Sequence, residues 1–291
     1  MESQTRSAII GEAKTPSNTL RNGAQSPAKG NQWMVAKPGQ SDLLEPLLKT
    51  CISKSHSREE LWVEFIQSVG VQRMAEIGVY RGDFAAEMLR RCSTLTTYYM
   101  VDPWRHLSNW NKPANHEDAV LGQFFEEAKA KTEFAAAKRV ILRGTTIEVI
   151  DQIPDTALDL AYIDADHTLK GIAIDLIRVY PKLRPGGFLG GDDFTRSVWE
   201  HNTAFEPTLV FPFAVYFAEA VGATIYALPH AQFCLQKANG AQFAFVDLTG
   251  HYDDLSLRNQ FTSEKLLKIK MWERFPRLMQ LVRKTRDALR G

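Results

Sequence analysis

Short apolar runs alternate with amphipathic segments through the middle of the chain. The apolar runs predict strands at 74–77, 97–101, 139–142, 158–163 and 187–190. The segments with helical spacing predict helices at 84–91, 119–132, 147–152, 169–183 and 213–221. Strands that alternate with helices favour a mainly parallel sheet with helices on both faces. The pattern therefore predicts a doubly wound α/β fold.

The chain after this alternation changes to a strand-turn-strand pattern. Two apolar runs, 223–228 and 232–237, are separated by the short sequence Pro-His-Ala and predict a β-hairpin. Asn239 and Gly240 then give a second tight-turn signal before the run 241–248. We therefore expect the sheet to end in antiparallel strands.

The two ends of the chain differ in composition from this middle part. Residues 1–38 are rich in Ser, Thr, Asn, Gln, Gly and Pro without apolar periodicity, and we expect a disordered leader there. Residues 39–70 have helical spacing, with Ser57 as a helix cap, and are expected to cover one side of the main domain at 71–250. Residues 251–291 are expected to form a basic helical tail.

The charge of this tail allows two interpretations. Between residues 263 and 291, nine Lys and Arg residues stand against three acidic residues, a net charge of +6. Such a helix either packs on the domain or on a partner subunit, or makes a peripheral contact with anionic lipid or an acidic protein. The sequence leaves both interpretations open, and with them a homo-oligomer.

Charge and cysteine content exclude several classes of protein. The whole chain has a formal net charge of +1 at pH 7, so we expect no nucleic-acid partner. Its three cysteines have no CxxC spacing, which argues against a disulfide framework or a zinc site. The N-terminus lacks a signal-peptide pattern, and Pro212, Glu219 and Gly222 interrupt the most apolar stretch. We therefore expect a cytoplasmic protein without a transmembrane span.

A glycine-bearing turn follows the first predicted strand. Glu76 ends that strand, Gly78 and Gly82 follow it, and a helix begins directly afterwards. Glycine allows a tight turn, and the helix presents free N–H groups to an anionic or carboxylate-bearing cofactor. Asp102 ends the second predicted strand, where a carboxylate can accept both hydroxyls of an adenosine ribose. Tyr80 stands where a dinucleotide-binding turn has its second glycine, which disfavours NAD and FAD.

Five polar residues follow the next two strand ends on this side of the sheet. Asp164, Asp166 and His167 follow the fourth predicted strand, and Asp192 and Asp193 follow the fifth. Because the carboxyl ends of parallel strands open into one crevice, we expect all five at the reactive end of the cofactor. Unpaired carboxylates that lie close together repel one another, and a hard divalent cation would relieve this repulsion. Magnesium is the expected ion.

Together these motifs resemble those of a known enzyme family. The sequence EIGxxxG, then VD, then YIDADH, then LRPGG followed by DD resembles class I S-adenosylmethionine-dependent methyltransferases. More narrowly, it is similar to the macrocin, cephalosporin-pathway and aminocoumarin sugar O-methyltransferases, over about residues 71–237. The resemblance implies a Rossmann-like, doubly wound, mainly parallel seven-stranded sheet with a reversed terminal strand.

The resemblance also implies how the cofactor is held. S-adenosylmethionine is expected to contact the loop and strand-end residues Glu76, Gly78, Gly82, Asp102 and Thr145. A carboxylate at Glu76 suits the cationic aminoacyl group of this cofactor. Trp104 either flanks the adenine or is an aromatic core residue.

At the reactive end, the resemblance implies a metal and a base. Asp164, Asp192 and Asp193 are expected to bind magnesium, which would lower the pKa of a bound acceptor hydroxyl. Two residues compete as the base that takes the hydroxyl proton. Asp166 is favoured by the resemblance, and His167 by its titration near neutral pH.

The predicted function is metal-assisted O-methylation of a hydroxyl of a sugar, glycan or other small polar metabolite. Two stretches, 103–118 and 193–208, contain aromatic and polar residues and are expected to shape the acceptor site; we call them the acceptor segments. One alternative is a non-catalytic binding or scaffold protein, which the presence of Glu76 and Asp102 disfavours. The other is an NAD-dependent oxidoreductase, which Tyr80 disfavours.

Overall fold

The structure is a computed structural model. It describes residues 43–237, 242–252, 261–277 and 279. These residues belong to one compact unit, Met34–Gly291. The predicted leader at 1–38 and the predicted turn at Asn239 and Gly240 lie outside the described residues.

The predicted alternation of strands and helices is confirmed over the first five strands. The strands are β1 Arg73–Ile77, β2 Thr97–Asp102, β3 Arg139–Arg143, β4 Leu158–Ile163, β5 Leu183–Gly191, β6 Thr224–Leu228, β7 Gln232–Gln236 and β8 Ala244–Asp247. The helices are α1 Leu44–Lys54, α2 Arg58–Val69, α3 Asp83–Arg91, α4 Asp118–Lys131, α5 Thr146–Val149, α6 Leu169–Val179, α7 Val210–Val221 and α8 Ser263–Arg274. Short 3-10 turns at Glu133–Ala135, Ile150–Gln152 and Tyr180–Lys182 follow α4, α5 and α6.

The strands form one sheet in the order β3-β2-β1-β4-β5-β7-β6-β8. Strands β1 to β5 pair in parallel. Strand β7 is antiparallel to both of its neighbours, β5 and β6. The predicted Rossmann-like, doubly wound α/β fold with a reversed strand is therefore confirmed.

Two details of the sheet differ from the prediction. The described sheet has eight strands instead of seven, because β8 adds to its edge. The β6–β7 hairpin is present, with His230 and Ala231 at φ 61° and 56°, the left-handed conformation of a tight hairpin turn. However, β8 pairs in parallel with β6 and does not form a second hairpin with β7. The expected antiparallel segment at this end of the sheet is therefore confirmed, and β8 adds to it as a parallel neighbour of β6.

The helix predicted at 169–183 is shorter than expected. Helix α6 ends at Val179, and β5 begins at Leu183. Pro181 is the physical reason, because proline has no backbone N–H and its ring clashes with the preceding helical turn. The early end of α6 lengthens β5, which leads to Asp192 and Asp193.

Helices cover both faces of the sheet, and each face has its own apolar core. Along β1, Met74 packs in the core beneath α1, α2 and α3, whereas Ala75 packs in the core beneath α6 and α7. Helix α2 begins at the predicted cap, where the hydroxyl of Ser57 accepts a hydrogen bond from the Glu60 N–H at 3.2 Å. This cap fixes the first turn of α2, which lies beside the candidate site.

Candidate active site

A cavity of about 1160 Å³ opens at the carboxyl ends of the parallel strands. Its lining includes most of the residues predicted from the sequence, namely Glu76, Gly78, Asp102, Trp104, Thr145, Asp164, Asp166, His167 and Asp193. Gly82 and Asp192 are not part of the lining. One space therefore joins the predicted cofactor residues to the predicted reactive residues.

In the turn after β1, two glycines lie so close to other parts of the chain that a Cβ atom would not fit. Gly78 has a φ of 92°, and a Cβ there would lie 2.0 Å from the backbone oxygen of Asp164. Its N–H donates to the Val101 carbonyl at 2.8 Å. Gly82 has a φ of 76°, and a Cβ there would lie 2.8 Å from the Cα of Ala128 in α4. Gly78 thus allows the cofactor turn and the acidic end of β4 to touch.

Asp102 organises the predicted cofactor turn. Its Oδ2 accepts hydrogen bonds from the Val79 and Tyr80 N–H groups, both at 2.9 Å, and its Oδ1 accepts one from the Trp104 N–H at 2.8 Å. Burial raises the pKa of Asp102, and these three bonds partly offset that effect. A carboxylate offers about four acceptor positions, so capacity is left for a ribose hydroxyl.

Glu76 is buried at the end of β1. Its Oε2 accepts a hydrogen bond from the Tyr98 hydroxyl at 2.8 Å. Burial raises the pKa of Glu76 well above its ordinary value, Asp164 adds to the rise, and Arg58 opposes it. A cationic group beside Glu76 would favour the ionised carboxylate and so lower this raised pKa.

Two further predicted cofactor residues have structural partners. Trp104 is only 1% exposed, its Nε1 donates to the Tyr80 carbonyl at 2.7 Å, and its ring packs on Phe125. This position matches the core alternative, and a role at the adenine stays a prediction. Thr145 precedes α5, and its N–H donates to the Glu148 carboxylate at 2.8 Å.

The acids at the reactive end are not unpaired, contrary to the prediction from the sequence. Arg58 Nη1 lies 3.0 Å from Asp164 Oδ2 and also contacts Asp192 Oδ2. Gln232 Nε2 donates to the other oxygen of Asp192 at 2.5 Å. The guanidinium also lies over the ring of Phe84, 5.5 Å from its centroid. Arg58 therefore holds a permanent positive charge between two strand ends.

His167 lies between two other carboxylates. Its Nδ1 contacts Asp193 Oδ2, whereas its Nε2 lies 3.5 Å from Asp164 Oδ1 and is a buried atom without a hydrogen-bond partner in the described chain. Burial alone would lower the pKa of His167, but Asp164 and Asp193 outweigh it and raise the pKa to about 10. Asp193 has a φ of 54°, a strained backbone conformation that is common at functional sites.

One group of side chains beside the predicted metal residues could hold a metal ion, and the predicted set of Asp164, Asp192 and Asp193 stays a prediction. Asp164, His167 and Asp193 each offer one ligand atom, and these atoms lie within 4.8 Å of one another. Asp192 is not in this group, because it pairs with Arg58 and Gln232. Two carboxylates and an imidazole fit a divalent cation, and the unpartnered Nε2 supports that fit. A nitrogen ligand suits manganese or another transition metal better than magnesium.

Asp166 is fixed at the acceptor side of the cavity. Its Oδ1 accepts hydrogen bonds from Trp110 Nε1 at 3.0 Å and from the Thr168 N–H at 2.9 Å. A Cβ at Gly171 would lie 2.0 Å from the Asp166 carboxyl carbon, so this glycine leaves room for the side chain. The first acceptor segment thus positions one of the two predicted bases.

A polar network that the sequence did not reveal joins the two acceptor segments. Lys112 is buried, and its Nζ donates to the Thr208 hydroxyl at 3.0 Å, which donates to Glu200 Oε2 at 2.9 Å. Burial lowers the pKa of Lys112 and raises that of Glu200, and nearby Asp193 raises the latter further. Lys112 and Glu200 line the cavity beside the candidate metal ligands.

Arg58 is the functional residue that sequence reasoning missed most clearly. It precedes Asp164 by 106 residues, and no motif marks it. The Ser57 cap was the available signal, because it fixes the start of α2. A cap does not show which part of the fold the first helical turn touches.

Comparisons with known proteins agree with this geometry over part of the chain. Residues 75–194 match the family model described as a methyltransferase domain. This segment runs from the cofactor turn to the acids after β5. A comparison with curated proteins found no match.

Several solved structures are similar to the chain at low sequence identity. A putative caffeoyl-CoA O-methyltransferase from Staphylococcus aureus has 14% identity and a TM-score of 0.48, over 69% of this chain and 92% of that chain. An O-methyltransferase from Bacillus cereus in complex with SAH has 17% identity and a TM-score of 0.46, over 69% and 92%. The O-methyltransferase involved in tomaymycin synthesis from Streptomyces achromogenes, in complex with SAM, has 16% identity and a TM-score of 0.45, over 69% and 94%.

Proposed function

We propose that the chain is an S-adenosylmethionine-dependent O-methyltransferase that acts on a hydroxyl of a sugar, glycan or other small polar metabolite. One observation carries the proposal. The strand-end carboxylates Glu76 and Asp102 line the same cavity as the reactive-end residues Asp166 and His167. The match of residues 75–194 to a methyltransferase domain supports it.

Two parts of the proposed cofactor would have partners in the cavity. Asp102 would accept from the ribose hydroxyls, and its existing bonds already hold the turn in shape. Glu76 would face the cationic aminoacyl end, where its burial strengthens the attraction. The sulfonium methyl group would then point to the acidic end of the cavity.

Methyl transfer needs an acceptor oxygen in line with the methyl carbon and a base for its proton. The oxygen attacks the carbon, the sulfur–carbon bond breaks, and S-adenosylhomocysteine leaves as a neutral thioether. Asp166, which Trp110 fixes, is the base we propose. His167 lies in the group of side chains that would hold a metal ion, which leaves Asp166 to take the proton.

We extend the proposal to metal assistance. Asp164, His167 and Asp193 would hold a divalent cation, which when bound supplies Lewis acidity that lowers the pKa of the acceptor hydroxyl. Arg58 keeps the Asp164 carboxylate in place through its Oδ2 atom, whereas His167 lies nearest to its Oδ1 atom. It also shields Asp164 from Asp192, which lies outside the ligand group.

The acceptor end suits a hydroxylated molecule. Trp110 offers an aromatic face, while Lys112, Glu200, His201 and Glu206 offer donors and acceptors along the same wall. A ring that carries several hydroxyls can use both kinds of contact. We also propose a cytoplasmic location, supported by three cysteines that are free and buried.

Ligand-dependent thermal unfolding tests the cofactor first. We expect the midpoint to rise with S-adenosylmethionine and S-adenosylhomocysteine and to stay unchanged with NAD. Addition of Mn²⁺ or Mg²⁺ should raise it further, and Asp164→Ala should remove the metal response. No shift with either S-adenosyl ligand would favour the scaffold alternative, and a shift with NAD alone would favour the oxidoreductase. Radiolabelled methyl transfer to a panel of hydroxylated acceptors then tests the reaction.

A further inference from the structure

Helix α8 presents two different faces. No residue of this helix is fully buried. Its half-buried residues follow helical spacing and are Lys265, Leu266, Ile269 and Trp272. The opposite face is therefore open to solvent, and its composition is unusual for a solvated helix.

Three large apolar residues form a line along this open face. Leu267 is 62% exposed, Met271 is 40% exposed, and Phe275, directly after the helix, is 52% exposed. Residues four positions apart lie one above the other on a helix, so these three form a continuous apolar stripe. Contact with water is unfavourable for such an apolar stripe.

Cations border the apolar stripe on both sides. At 100° per residue, Lys270 and Arg274 lie on one side of it and Lys268 lies on the other. Between residues 263 and 277 there are five Lys and Arg residues and two acids, Glu264 and Glu273. Of these acids, Glu264 lies on the same face in the first turn of the helix, before Leu267, and Glu273 accepts hydrogen bonds from Thr203.

We propose that α8 docks through the apolar stripe on a membrane surface that contains anionic phospholipid. A narrow apolar stripe with cations on both sides matches an interfacial helix, whose apolar side chains enter the acyl boundary while lysine and arginine reach the headgroups. A negatively charged surface complements the cations on both sides at once. Among the described residues, no helix is long and apolar enough to cross a membrane, so this contact is a surface contact.

The docked helix would be connected to the acceptor side of the cavity. Glu273 accepts hydrogen bonds from the Thr203 N–H at 2.6 Å and from the Thr203 hydroxyl at 3.0 Å. Thr203 belongs to the second acceptor segment, in which Glu200 and His201 line the cavity. The hydrogen bonds between Glu273 and Thr203 would therefore connect a membrane-bound α8 to the acceptor side of the cavity.

Vesicle co-sedimentation of the full chain tests the proposal. We expect the protein to sediment with vesicles of phosphatidylcholine and phosphatidylserine, not with phosphatidylcholine alone, and to be released by high salt. The pair Lys268→Gln and Lys270→Gln should weaken binding about 30-fold, from the loss of two cations. The pair Leu267→Ser and Met271→Ser should abolish it. Ile177→Ser, at a residue 54% exposed on α6, is the matched control and should bind normally.

Three outcomes would overturn the proposal. The first is a wild-type chain that does not sediment with anionic vesicles, and the second is equal binding by all the variants. The third is a dimer, seen by light scattering without vesicles and lost in the Leu267 and Met271 variant, which would assign the stripe to a second copy of the chain. Circular dichroism confirms that each variant is folded, so that lost binding reflects the changed surface.

Discussion

The guanidinium of Arg58 lies 3.0 Å from the carboxylate of Asp164, which connects the first turn of α2 to the end of β4. The same group contacts Asp192 at the end of β5. A positive charge built into the chain thus lies between two acids that otherwise would repel each other. It also leaves Asp192 outside the group that can bind a metal.

Replacement of Arg58 by methionine should affect both stability and metal binding. Asp164 and Asp192 would then face each other without a counter-charge, and we expect a loss of about 2 kcal/mol in the free energy of unfolding at neutral pH. The freed carboxylates should bind Mn²⁺ more tightly than in the wild type. Urea denaturation and Mn²⁺ titration by electron paramagnetic resonance measure the two effects.

The control for this variant is Arg178→Met, which removes an exposed pair with Asp151. Its cost should stay within about 1 kcal/mol, because exposed ion pairs contribute little. Equal losses for both variants, or unchanged Mn²⁺ affinity in Arg58→Met, would contradict the role of Arg58.

Gly78→Ala should lower the free energy of unfolding far more than Gly70→Ala, because Gly70 also has a positive φ but lies in open space. Gly78 and Gly70 both have positive φ, but only at Gly78 would the new Cβ meet the backbone of Asp164, at 2.0 Å. We expect Gly70→Ala to cost about 1 kcal/mol. Gly78→Ala should cost roughly 3 kcal/mol or more, because strain adds to the clash. Chemical denaturation compares them, and similar costs would refute the close approach.

The carboxyl group of Asp175 in α6 should make the stability of the fold depend on pH. Its Oδ1 accepts from the Thr146 hydroxyl at 2.5 Å, and its Oδ2 is a buried atom without a hydrogen-bond partner in the described chain. Burial raises its pKa from 3.8 to about 7. The folded state therefore holds the proton more tightly, and stability falls as pH rises from about 4 through 7.

Asparagine at this position removes the titration. Relative to the wild type, Asp175→Asn should gain about 3 kcal/mol of stability between pH 5 and pH 8. Urea denaturation at pH 5 and pH 8 measures the change, with the exposed Asp83→Asn as control. A difference between variant and wild type that does not change with pH would show that Asp175 does not titrate in this range.

Asparagine at Asp166 should stop proton removal without loss of cofactor. We expect methyl transfer to slow by about 100-fold or more, because a positioned base contributes that much. Calorimetry should give an unchanged affinity for S-adenosylmethionine. His167→Gln is the informative comparison. If this variant transfers methyl groups slowly but binds metal normally, and the Asp166 variant keeps its rate, then His167 is the base.

The pattern of apolar and polar residues predicted those strands and helices whose position depends on neighbouring residues in the sequence. The strands β1 to β5 and the acids at their ends follow from apolar runs and from the rule that parallel strands share one open edge. Pairing of β8 with β6 was not predictable in this way, because strand pairing depends on partners far along the chain. The ion pair between Arg58 and Asp192 has a similar cause, since it joins two segments that are far apart along the chain.

The position of Arg58 has a consequence for how this chain is compared with other proteins. The segment that matches the methyltransferase domain model begins at residue 75, whereas Arg58 lies in a helix before it. The segment that the family model matches is therefore shorter than the part of the chain that sets the charge at these strand ends. Two proteins with identical motifs could differ in metal dependence through one residue in a helix that no motif covers, so this helix should be compared first when activities are assigned to relatives.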